Sequence, residues 1–95
     1  MKLTALRKAI DRIDDQLVRL LNRRARVALE IGKWKHANAR EIHVPAREKK
    51  VLAHVRQANC GPLSHAALVA IYREIMSASL ALEHAIRARR KRRIN

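Results

Sequence analysis

Residues 3–34, LTALRKAIDRIDDQLVRLLNRRARVALEIGKW, decide the fold of this chain. Leu3, Leu6, Ile10, Ile13, Leu17 and Leu20 recur in alternating steps of three and four, and the series resumes at Val27, Ile31 and Trp34. That period puts them on one face of an α-helix, turned toward a core or a partner helix. The seam position between Leu20 and Val27 is Arg24. Burying an unpaired cation costs several kcal/mol, so Arg24 calls for an anion, either a structural carboxylate or a ligand.

Working outward, this helix is expected from near Leu3 to about Ala37, with Gly32 its only weak point. At 1.5 Å per residue it would be roughly 50 Å long, more than a compact domain of 95 residues needs, which points to packing along a partner chain. The connection 38–44 is polar, and Pro45 suits the first turn of a second helix ending near Ala58. Asn59-Cys60-Gly61-Pro62 breaks the chain, and Ser64 is a good N-cap for a third helix. Leu68, Ile71, Ile75, Leu82 and Ile86 share a face of that helix, which is expected to dissolve into a basic tail.

Composition agrees with an all-α fold of three helices. Two Gly and two Pro leave little punctuation for sheets, and no Phe, one Trp and one Tyr make the interior aliphatic. The expected division is a helical domain over residues 1–86 and a basic tail over 87–95. No apolar stretch is long enough to cross a bilayer or to serve as a signal core, so the cytoplasm is the expected location. Cys60 stands alone, so an intrachain disulfide is excluded and a reducing compartment is expected.

The net charge of +14 raises the alternative of a nucleic-acid or membrane-surface protein. Its distribution argues against that. Arg87, Arg89, Arg90, Lys91, Arg92 and Arg93 carry six of the basic charges, with no acid after Glu83. Such a run reads first as a solvated tail or the start of a linker.

The chemistry starts from what shares the face of Arg24. Lys35 lies 11 residues on, about three helical turns, so both cations point nearly the same way and could bracket a small anion. Arg7 borders the same stripe, but it sits 17 residues before Arg24, roughly 25 Å along the axis. An antiparallel partner helix could bring it to the same ligand. In the second helix Glu48 stands in register with Val51, Leu52 and Val55, with Arg47 beside it; a buried acid there could equally be the structural counter-ion of Arg24. Ser79 and Glu83 form an i, i+4 pair in the third helix. Polar residues thus interrupt apolar stripes on three helices, which favours a lined cavity.

These residues carry a resemblance. Leu6-Arg7, Ile10, Ile13-Asp14, Leu20-Leu21, Arg23-Arg24, Ile31-Gly32-Lys33 with Lys35, then Pro45-Ala46-Arg47-Glu48 and the run from Ile71 to Glu83 resemble the AroQ-type chorismate mutases. The likeness covers nearly the whole chain to about Glu83. It implies an intertwined antiparallel homodimer that rearranges chorismate to prephenate, on the route to Phe and Tyr, with no metal or cofactor.

By that resemblance Arg7 arrives from the partner chain and binds one substrate carboxylate, while Arg24 binds the other. Lys35 and the residue at 83 are the donors to the ether oxygen, Glu48 takes the ring hydroxyl, and Arg47 and Ser79 support carboxylate binding. Two positions depart from the common pattern. Val44 stands where many members have Asp, which leaves a contact only through the backbone N–H. Glu83 stands where others have Gln, and a carboxyl group donates only when protonated. The expected activity therefore falls as pH rises through the neutral range, and Glu83→Gln flattens the profile. An isochorismate pyruvate lyase of the same fold, an amino-terminal module of a larger enzyme, a basic nucleic-acid-binding protein and a ligand-free helical dimer are the alternatives.

Overall fold

Helix α1 spans Lys2–Ala37, α2 spans Pro45–Ala58 and α3 spans His65–Ile94 in the computed structural model, which describes residues 2–94. The elements are the three expected from periodicity and punctuation, with no strand among the described residues. Their ends have local causes. Pro45 opens α2, its missing N–H costing nothing in the first turn. Ser64 caps α3 by accepting the Ala67 N–H at 3.1 Å.

The end of α1 is tied back on itself. The Ala39 N–H bonds the His36 carbonyl at 3.3 Å and the Arg40 N–H bonds the Lys35 carbonyl at 2.8 Å. This is the paired closure of a Schellman motif, with Ala39 at φ 52 in the left-handed position that glycine normally fills. Between α2 and α3 the Asn59 side chain organises the turn, accepting the Gly61 N–H at 2.9 Å and donating to the Leu63 carbonyl at 2.8 Å.

Helix α3 packs against both other helices, whereas α1 and α2 do not pack on each other. A cleft is therefore left between them, floored by α3. The small core consists of Ala28, Ile42, Val55, Val69 and Met76, and one charged residue, Glu83, is buried with them. Val69, Met76 and Glu83 lie seven apart, two helical turns each, so they form a single buried row. The face of α3 differs in this from the expected Leu68, Ile71 and Ile75 face, and Ile71 is exposed. Helix α1 meets that row at Gly32, where an added Cβ would lie 3.1–3.3 Å from the Cγ, Cα and Cβ of Glu83.

The stripe of α1 is expected to face a core or a partner helix, and the basic run to dissolve the end of α3. The long apolar stripe of α1 is not turned inward within the chain: its residues from Leu3 to Leu20 are 50–63% exposed, and α1 buries Ala28 and Gly32 instead. The basic run is not a tail that leaves the helix, because α3 continues through it to Ile94. Arg and Lys are good helix formers, and cations in the last turn suit the negative end of the helix dipole. Among the described residues no helix is long and apolar enough to cross a membrane. The chain extends over 60 × 26 × 14 Å with a radius of gyration of 17.0 Å. A compact domain of this length would have about 12 Å.

Candidate active site

The cleft between α1 and α2 has a volume of about 440 Å³. Helix α1 contributes Arg24, Val27, Ile31 and Lys35, spaced so that one face looks into it. The 38–44 connection adds Ile42 and Val44, α2 adds Arg47, Glu48 and Val51, and α3 closes the floor with Met76, Ser79, Leu80 and Glu83. Every site residue expected from sequence lines this one cleft except Arg7. Arg7 is exposed in the N-terminal half of α1, seventeen residues before Arg24.

Arg24 is half-buried, and its Nη1 donates to Ser79 Oγ at 2.9 Å. The Ser79 hydroxyl donates a hydrogen bond to the Ile75 carbonyl at 3.0 Å, so its oxygen is fixed as the acceptor for Arg24. One serine hydroxyl neutralises no charge, and Glu48 does not serve as the counter-ion: its carboxylate meets His43 Nε2 at 2.9 Å instead. Arg24 lines the cleft, and no carboxylate among the described residues is paired with it. A planar fork with an uncompensated charge is suited to a carboxylate.

Three turns along, Lys35 is held from two sides. Its Nζ donates to the Ile42 carbonyl at 2.6 Å and lies 2.9 Å from Glu83 Oε1. Both side chains are largely sequestered, at 17% and 7% exposure. The approach to Glu83 is close enough for an ion pair but off the direction of a hydrogen bond, so Oε1 is buried without one. Only the bond to Ile42 uses a Lys35 donor, so two of its three N–H groups remain, and with Glu83 it gives the cleft two adjacent polar groups for one ligand atom.

Sequence reasoning missed the Ile42 carbonyl and His43. Ile42 is 3% exposed, and a lone isoleucine inside a polar connection was the available signal that the segment docks rather than floats. A backbone acceptor leaves no trace in residue type. Contact between His43 and Glu48 depends on how the connection folds back over α2, which no spacing encodes.

Known proteins resemble this chain along most of its length. Residues 6–84 match chorismate mutase type II. The bifunctional chorismate mutase/prephenate dehydratase of Aquifex aeolicus is 46% identical over 90 residues, covering 90% of this chain and 25% of that protein. The protein of the same description from Pseudomonas aeruginosa is 38% identical over 91 residues, again 90% and 25%. The chain thus spans about a quarter of the length of these relatives. The structure of chorismate mutase (form II) from Thermus thermophilus superposes with a TM-score of 0.87 at 34% identity, over 88% of this chain and 96% of that one. With the match running through all three helices, the chain belongs to the chorismate mutase type II family.

Proposed function

We propose that the cleft rearranges chorismate to prephenate. The observation that carries this reading is the Lys35–Glu83 contact, buried in the same cleft as an Arg24 that has only a hydroxyl for a partner. In the reaction one C–O bond of the substrate breaks and one C–C bond forms within the same molecule, so no co-reactant is required. The protein has two tasks: to hold a flexible dianion in its compact reactive shape, and to stabilise charge that develops on the ether oxygen.

Arg24, supported by Ser79 and Arg47, binds one carboxylate. Lys35 donates to the ether oxygen, and since charge grows there only as the bond stretches, the contact favours the transition state over the ground state. Glu83 donates to the same atom when protonated. Glu48 accepts the ring hydroxyl, and Val44 offers its backbone N–H. Glu83→Gln, whose amide is always a donor, should therefore keep kcat at or above the wild-type value. A Glu83→Gln variant that folds but has lost turnover would remove this role.

The other carboxylate needs a cation opposite Arg24, and Arg7 cannot reach it within one chain. A second copy, its α1 antiparallel to the first, brings Arg7 across and covers the exposed stripe. Support comes from the elongated shape, with its radius of gyration of 17.0 Å, and from the row of exposed Leu and Ile side chains. The assignment is tested by following chorismate consumption with the wild type and Lys35→Ala. Turnover in the first and its loss in the second supports it, and a wild type that turns over isochorismate in preference would replace it with the lyase reading.

A further inference from the structure

The basic run after Glu83 begins with a residue that does not behave as a surface cation. Arg87 lies one turn beyond Glu83 and is half-buried, and its Nε is sealed from solvent with no hydrogen-bond partner. Its Nη2 donates to the Arg40 carbonyl, 47 residues away in the connection between α1 and α2. Burying an arginine with an unused donor is unfavourable, so a long-range contact formed at that expense has to be set against what it fixes.

The connection carries two groups that touch residues lining the cleft. The Ile42 carbonyl accepts from Lys35 Nζ, and His43 meets Glu48. A carbonyl orients a lysine only if the carbonyl is itself anchored. Two anchors are present: the buried Ile42 side chain and, two residues earlier, the bond from Arg87. Arg40 adds a marker of this arrangement, with its guanidinium 5.8 Å from the centre of the Trp34 ring.

The geometry points to Arg87 as a positioning residue that latches the 38–44 connection to α3 and thereby aims Lys35 and Glu48 at the substrate. This rests on the mutase reading of the cleft. It also makes Arg87 part of the working domain, and leaves only the later basic residues as surface charge.

The test compares Arg87→Met, which keeps the apolar stem and removes the donors, with Arg92→Met, which removes the same charge from the exposed end of the helix. Displacement of a catalytic group by a fraction of an ångström lowers kcat/KM for chorismate by about tenfold in Arg87→Met, and Arg92→Met matches the wild type. Trp34, the only tryptophan, reports the latch without turnover: its emission changes in Arg87→Met and not in Arg92→Met. Arg87→Lys, which restores one charged donor, recovers part of both signals. Equal kcat/KM in the two Met variants, or an unchanged Trp34 emission in Arg87→Met, overturns the latch. A wild type without chorismate turnover sinks the mutase reading instead, and the Trp34 signal still decides whether Arg87 holds the connection.

Discussion

The two halves of α1 are built from one continuous apolar stripe and treat it in opposite ways. From Leu3 to Leu20 the stripe residues are half or more exposed, with no element of the chain laid over them. From Arg24 to Lys35 the same helix is packed on α3, through Ala28 and Gly32 rather than through the stripe. Small residues let two backbones of one chain approach closely, and large ones are left for a surface from elsewhere. Under the proposed function the C-terminal half of the helix carries the chemistry and the N-terminal half the assembly.

Removing the chemistry from the C-terminal half should have the largest effect. Lys35→Ala deletes the donor to the ether oxygen, and loss of one such donor lowers kcat by about 100- to 1000-fold. Because Glu83 is buried beside it, the variant also leaves that carboxyl without its cation, so its melting temperature falls as well. A kcat within threefold of the wild type would show that the packed half of α1 does not hold the reacting atoms.

The N-terminal half is tested by Arg7. Arg7→Ala should lower kcat/KM by about 10- to 100-fold, the scale of a lost hydrogen bond to a charged group, with the helix content unchanged. Arg24→Ala should be equally impaired. Equal amounts of the two, unfolded and refolded together, should recover about a quarter of wild-type activity, because half the dimers are mixed and each of these rebuilds one intact site of two. No recovery on mixing breaks the division of labour between the halves, since it would mean that Arg7 of one chain does not complete the site of another.

Much of this division was legible in sequence. The step of three and four fixed α1, Pro45 and Ser64 fixed where α2 and α3 begin, and Arg24 stood out because a cation interrupted an otherwise regular series. Which surface the stripe would face was not legible, since periodicity identifies a face and not its partner. The row Val69, Met76 and Glu83 was hidden for a different reason. Leu68, Ile71, Ile75 and Leu82 form an equally good apolar series in α3, and only the close approach permitted by Gly32 selects the row that contains a carboxylate. The latch of Arg87 on a carbonyl lay beyond any reading of side-chain types.

That close approach makes Gly32 the next test. Gly32→Ala gains up to about 1 kcal/mol of helix propensity and must displace Glu83, with overpacking costs of about 1–3 kcal/mol. The net result should be a loss of about 1 kcal/mol in thermal or urea unfolding, together with a lower kcat as Glu83 moves from Lys35. A stabilised and fully active variant would show that α1 and α3 have room to spare where they meet, and that the contrast between small and large residues along α1 is incidental.

The smallest effect is expected just past the packed half, at Ala39. The Schellman closure places this residue at φ 52, where an L side chain crowds the backbone by roughly 1–2 kcal/mol and glycine does not. Glycine also makes the unfolded chain more flexible, which returns about 0.4–1 kcal/mol of that gain. Ala39→Gly should therefore stabilise the protein by a few tenths to about 1 kcal/mol, read as a higher urea midpoint at constant slope. Turnover should not change, because the bond from Arg87 and the buried Ile42 side chain still hold the connection over Lys35. If turnover fell while stability rose, the strain at Ala39 would itself be part of what presses the Ile42 carbonyl against Lys35. The end of α1 would then belong to the chemistry of the packed half.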